Sequence, residues 1–330
     1  MIIALIIMLA SAVLIYFSCE FFVNAIEWVG KVFNVSQNAV GTVLAALGTA
    51  LPESVVTLIA VVFGANASQK DVGVGAALGG PLVLSTLAYA VVGISIIIFR
   101  KKRELGSNLE INGKKLGRDQ LWFLFIFTFK VALGFVAFTI KPWLGILFFI
   151  AYGVYFFTEM SGEGEKVEEK LEPLRFAPKK VNPAKSIILF QTLFSLALIF
   201  VGSQIFVHNL NTFSVYLGIP AHIVALFLSP VATELPEILN AVIWVRQGKE
   251  NLALANISGS MMIQATVPSA LGIMFTSWIF DESLAFSAII TFMAILFLYM
   301  TLRREHLSVK RLSLVSLFYV VFVIGMIFIV

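Results

Sequence analysis

The residues best placed to do chemistry are two glutamates that share one setting. Leu51-Pro52-Glu53 and Leu235-Pro236-Glu237 each drop a helix breaker and a carboxylate into a long apolar run. Proline lacks an N–H and clashes with the turn before it, so carbonyls around Gly48, Thr49, Ala232 and Thr233 lose their helical donors. Freed carbonyls can bind a cation, and unwound backbone at membrane depth is tolerated where it lines a cavity or is buried in protein. Two carboxylates neutralise one divalent ion and offer up to four of the roughly six to eight oxygens that calcium takes. The settings are also copies: the offset between residues 53 and 237 pairs Phe22 with Phe206, Val23 with Val207, Val40 with Val224 and Thr49 with Thr233.

Each Leu-Pro-Glu segment is followed by a second interrupted stretch, Gly75-Ala76-Ala77-Leu78-Gly79-Gly80-Pro81 in the first copy and Ala255-Asn256-Ile257-Ser258-Gly259-Ser260 in the second. Asn256, Ser260 and Gln264 recur every four residues, so they share one helix face and can present oxygens toward the carboxylates. Ser and Asn also serve as interhelical glue, and both readings stay open here. Glu234 adds a third carboxylate, either an ion ligand or titrating group, or a structural charge facing a basic cytoplasmic loop. Lys130 lies within an apolar stretch, to pair with a buried Glu or to snorkel outward. Glu20, Asn24 and Glu27 share one side of the first stretch, on an ion path or at the membrane edge.

Such residues need a membrane to give them meaning, and the composition supplies it. With 59% hydrophobic and 13% charged residues, the chain is far more apolar than a soluble domain. Apolar stretches of about 20 residues predict ten spans, at 2–30, 38–65, 72–98, 120–139, 142–158, 186–210, 221–245, 251–277, 283–302 and 312–330. The first has no basic lead or cleavage pattern and reads as a helix rather than a signal peptide. Of the 23 Lys and Arg residues, all but Lys70, Lys141 and Lys130 fall on alternate connections, which places those connections in the cytoplasm and both termini outside. Five spans per copy is odd, so the second copy enters from the opposite side. The fold expected is an all-α membrane protein of ten transmembrane helices in two inverted five-helix repeats, 1–160 and 186–330, joined by a charged cytoplasmic linker at 161–185. Substrate sits near the midplane in such architectures.

Other classes fit less well. Cys19 is the only cysteine, so an internal disulfide is impossible, and His208, His222 and His306 are too scattered for a zinc site. An intramembrane enzyme would need a His/Glu metal motif or an Asp-rich diphosphate site, and neither occurs. A channel remains open to carboxylates alone. The net charge of +4 follows from topology and points to no nucleic-acid partner. The expected partners are inorganic cations and the lipid bilayer, with no cofactor, in a multi-pass protein of the cell membrane.

Gly41-Thr42-Val43-Leu44-Ala45-Ala46-Leu47-Gly48-Thr49-Ala50-Leu51-Pro52-Glu53 resembles the first α-repeat of the calcium/cation antiporter superfamily, which includes sodium/calcium exchangers, and Ala232-Thr233-Glu234-Leu235-Pro236-Glu237 resembles the second. The resemblance implies that Glu53 and Glu237 are the central ion ligands, that Thr49 and Thr233 add carbonyl and hydroxyl oxygens, and that Asn256, Ser260 and Gln264 complete the set. It implies a secondary antiporter, exporting Ca2+ in exchange for Na+ or H+, with a Na+/H+ antiporter or a transporter of another divalent metal as the alternative. The chain departs from the pattern where the motif serine is Ala50 or Glu234, and where Ala76, Gly80 and Leu84 replace oxygen-bearing residues. A full set of sodium sites is therefore not expected.

Overall fold

The computed structural model describes residues 2–32, 45–101, 113–161, 171–302 and 308–329. Every one of the ten apolar stretches carries helix: α1 (Ile2–Val32), α2 (Ala45–Phe63), α3 (Ala67–Val83) continuing through a π turn (Leu84–Ala88) into α4 (Tyr89–Phe99), α5 (Gly113–Leu133), α6 (Gly145–Ser161), α7 (Lys185–Leu217), α8 (Ala221–Thr233) and α9 (Leu235–Arg246), α10 (Glu250–Phe275), α11 (Glu282–Leu302), and α12 (Val309–Leu314) with α13 (Ser316–Ile329). Among the described residues seven helices are long and apolar enough to cross a membrane, or eight if the bent α8–α9 pair is one span. The other two fall short for local reasons. α2 begins at the edge of the described residues, and α5 carries Lys114, Lys115, Arg118, Asp119 and Lys130 along its length.

Prolines shape the interior helices. Pro81 leaves the carbonyl of Ala77 without its helical donor, and the strain is absorbed three residues later by the π turn, where the Thr86 and Ser85 hydroxyls return to the Leu82 carbonyl at 2.5 and 3.2 Å. The two Leu-Pro-Glu segments behave differently. α2 runs without interruption through Pro52, whereas α8 and α9 meet at Glu234 with a bend of 42°. One proline removes one bond, which neighbouring helices can offset; the second copy carries Pro230 as well as Pro236, and bonds lost six residues apart break the rod.

α3 and α10 form the buried centre, and α1 and α7 pack along each other outside it. α2 packs on α10 and α3 on α8, so each copy's proline-bearing helix meets the other copy's second helix; α5 packs on α11. Small residues make the close approach of α3 to α8 possible: a Cβ on Gly75 would collide with backbone atoms of His222, and one on Gly79 would lie 2.8 Å from the Leu226 carbonyl, which Pro230 has freed. The outer faces of α1, α7 and α13 expose Ile3, Ile6, Leu193, Phe190, Ile327 and Phe328, as helices bathed in lipid do.

The charged linker of residues 161–185 is described in part. Residues 162–170 lie outside those described, but 171–184 dock as a strap. Asn24 on α1 donates to the Pro173 carbonyl and accepts from the Arg175 amide, Trp28 donates to the Glu172 carbonyl, and Gln191 on α7 joins Asn24 to the Phe176 amide. Asn24 is thus a clamp for the strap rather than part of an ion path, and Glu20 is exposed, bonded by Tyr16.

Candidate cation site

Glu53 projects from α2 into the protein interior and has no exposure to solvent. Thr233, the last residue of α8, and Glu234, at the corner before α9, are buried equally well. The Thr233 hydroxyl lies 2.8 Å from Glu53 Oε2 and 2.8 Å from Glu234 Oε1, with the Ser229 carbonyl at 3.1 Å. The Ser229 hydroxyl also reaches Glu53 Oε2, at 3.5 Å, and Gln264 Nε2 on α10 donates to Glu234 Oε1 at 2.8 Å. Glu237, buried on the first turn of α9, lies within interaction range of Glu234. Two carboxyl groups therefore converge on one hydroxyl, with a third beside them, at the corner that the two prolines create.

This cluster is short of protons. Thr233 has one to give and three oxygens at hydrogen-bonding distance. Two contacts of 2.8 Å to two carboxyl groups require either that one carboxyl be protonated and donate to Thr233, or that a cation be shared between them. Glu53 Oε1, Glu234 Oε2 and the Gln264 Oε1 amide oxygen are buried without a hydrogen bond among the described residues, and all three are acceptors. Buried acceptors left without donors are costly, and a proton or a cation is what would satisfy them. Gly80 makes room for this: a side chain there would meet Gln264 Oε1 at 2.7 Å and Glu234 Oε1 at 3.4 Å. Where α3 offers no oxygen, the second copy reaches across and fills the space.

A buried acidic pocket made by two related proline-bearing helices has a counterpart among known proteins. The profile of the family described as sodium/calcium exchanger protein matches residues 3–160 and 187–328, nearly the whole chain. The chain belongs to the sodium/calcium exchanger family. An uncharacterised membrane protein of Methanocaldococcus jannaschii is 24% identical over 268 residues, 81% of this chain and 80% of its own. The sodium/calcium exchanger MaX1 of Methanosarcina acetivorans is 24% identical over 301 residues, 77% of this chain and 78% of its own. The fold is that of the H+/Ca2+ exchanger CAX, with a TM-score of 0.78 at 20% identity over 98% of this chain and 82% of the other.

Of the positions predicted for this exchanger, Glu53, Thr233, Glu234 and Gln264 are joined by hydrogen bonds, and Glu237 adjoins Glu234. Asn256 and Ser260 are buried on the same helix as Gln264, and the Asn256 Nδ2 has no partner among the described residues. Thr49 lies in α2 outside the residues whose side chains are described. Glu234 does not face the basic loop. Sequence reasoning missed Ser229, one turn before Thr233 in the same helix, and Gly80, whose contribution is the absence of a side chain. The spacing of Ser229 from Thr233 was a readable signal; the value of Gly80 depends on what α10 places opposite it.

Proposed function

We propose that the chain is a secondary cation antiporter of the cell membrane, exporting Ca2+ in exchange for a monovalent cation through one alternating-access site built from Glu53, Thr233, Glu234, Glu237 and Gln264. The observation that carries this reading is the meeting of the buried Glu53 and Glu234 carboxyl groups on the single hydroxyl of Thr233, with Glu237 buried beside Glu234. Carboxylates held in a membrane interior demand cations or protons, and three of them supply enough oxygens and charge for a divalent ion. A divalent ion and its monovalent competitors seek the same carboxylates, so they occupy the site in turn, and exchange follows from that competition. The oxygens of Asn256, Ser260 and Thr49 complete the ligand set as the helices close.

The proton shortage at Thr233 favours H+ over Na+ as the counter-ion, because one carboxyl must carry a proton when no metal bridges the pair. The architecture proposed is ten spans in two inverted five-helix repeats, 1–160 and 186–330, around the strap and linker at 161–185, with both termini outside. The cross-packing of α2 on α10 and α3 on α8 supports it, since relatives by a two-fold axis exchange partners in this way. Uptake of 45Ca into inside-out vesicles, driven by an imposed proton or sodium gradient, tests the function. Uptake under a proton gradient is the result expected. No uptake under either gradient would reject the calcium reading, and conductance without countertransport would make the protein a channel.

A further inference from the structure

The strap at 171–184 borders a cavity that the cation site does not use. Leu174 and Ala177 are buried against Trp28 on α1 and Ile188 on α7, and Trp28 Nε1 donates to the Glu172 carbonyl at 2.9 Å. Beside this anchored part and the last turn of α1 lies a cavity of about 370 Å³, walled by Trp28 and Pro173 and lined by Lys31, Lys179 and Lys180. That volume is within the range of small-ligand sites, and none of the lining residues is acidic. Three ammonium groups around one cavity repel one another unless an anion joins them. The Lys31 ammonium rests 4.6 Å from the centre of the Trp28 ring, which carries no net charge to neutralise it. None of the three lysines forms an ion pair among the described residues. Glu172, next to two lining residues in the chain, pairs instead with Arg175 at 3.3 Å.

The surroundings point to a lipid as the source of that anion. Phe176 of the strap packs on Phe190 and Phe194 of α7, with ring centres 5.9 and 5.8 Å apart, and both α7 rings are exposed on the outer face that lipid covers. Val181, which lines the cavity beside Lys180, is 85% exposed. Exposed apolar side chains next to lysines, where one span ends and another begins, match the level at which acyl chains meet phosphates. A dissolved anion would meet the lysines alone. We propose that this cavity seats the phosphate of an anionic phospholipid, with Lys31 on α1 and Lys179 and Lys180 on the strap as its cationic contacts and the acyl chains along the exposed face of α7. The bound lipid joins the end of α1 to the strap, which Gln191 already ties to α7. A strap that merely connected the two copies would show no preference among lipids.

Native mass spectrometry of the purified full-length protein in neutral detergent, with phosphatidylglycerol and phosphatidylcholine added in equal amounts, counts the lipids retained. Binding is read without transport, so the outcome does not depend on the antiport reading. Wild type is expected to hold one phosphatidylglycerol on the order of tenfold more tightly than phosphatidylcholine. The triple variant Lys31→Gln, Lys179→Gln, Lys180→Gln is expected to lose that preference. A second triple variant, Arg246→Gln, Lys249→Gln, Lys310→Gln, removes the same charge from exposed positions elsewhere and is expected to keep it. Equal loss in the two variants would reduce the effect to overall charge and overturn the site. Equal retention of both lipids by wild type would overturn it whether or not either variant folds. Displacement of the bound phosphatidylglycerol by inorganic phosphate at matching concentration would make the cavity a site for dissolved anions, and so would overturn the lipid assignment.

Discussion

The side chains that matter here are few, and hydrogen-bond counting decides what each can do. Thr233 is the shared partner of Glu53 and Glu234, so replacing it by Val keeps the shape and removes the hydroxyl. A hydrogen bond to a charged group contributes about 1.5–3 kcal/mol, so Thr233→Val is expected to weaken Ca2+ binding by roughly tenfold to a hundredfold, while Thr233→Ser stays near wild type; 45Ca binding checks both. Glu53→Gln and Glu237→Gln each remove a charge that a cation must see. Purified wild type is expected to melt at a higher temperature with Ca2+ present, and neither variant to respond. Equal responses from all three proteins would remove both residues from the site.

At the scale of elements, the site depends on helices brought closer than side chains permit. α3 and α8 touch through Gly75 and Gly79, where an added Cβ would meet backbone rather than a flexible side chain. Overpacking of this kind costs about 1–3 kcal/mol, so Gly75→Ala and Gly79→Ala are expected to lower the melting temperature and transport together. Gly153→Ala, with open space around it, serves as the neutral control. The start of α11 holds a second device. Asp281 caps the helix by accepting from the Leu284 amide at 2.9 Å, accepts from Ser283, and pairs with His222 at the head of α8 at 2.7 Å. Partial burial alone would raise its carboxyl above the usual range, but the amide, the hydroxyl and His222 outweigh that and hold it below. The folded value is depressed, so its contribution is complete above the unfolded carboxylate range near pH ~4 and is lost as pH falls through the lower folded value. Asp281→Ala is expected to cost about 1 kcal/mol at neutral pH and to flatten that acid limb in a denaturation series.

For the whole molecule, the charge pattern predicts the orientation and packing sets the centre. With Cys19 buried, the chain has little reactive thiol of its own, so cysteines introduced one at a time report sidedness. Ser68→Cys is expected to react with an impermeant thiol reagent added outside intact cells, and Lys179→Cys only after the membrane is opened. The reverse pattern would invert the proposed topology and with it the direction of export. Lys141, a lysine that the charge pattern predicts to lie outside, is buried and donates to the carbonyls of Val136, Ser277 and Trp278 at 2.7, 3.0 and 2.8 Å. It ties the turn after α5 to the one after α10, so one of the few exceptions to the charge asymmetry has a local structural role.

Hydropathy, the duplicated Leu-Pro-Glu segments and the exchanger-like motifs were enough to set the all-helical membrane class and the family and to name most of the residues that cluster in the candidate site, because each is a property of neighbours in the chain. Lipid requires apolar helices, and prolines act on the turn that contains them. The role of Asn24 was left open for the opposite reason: a polar residue in an apolar helix has a meaning only once its partner, here 149 residues away, is in place. Tertiary structure alone decided that Glu234 faces the interior, that Gly80 yields its space to Gln264, that α2 survives its proline while α8 and α9 part at theirs, and that Lys130 meets the carbonyl freed by Pro81. Each of these depends on which atoms of distant segments come within hydrogen-bonding distance, and no local pattern in the chain encodes that.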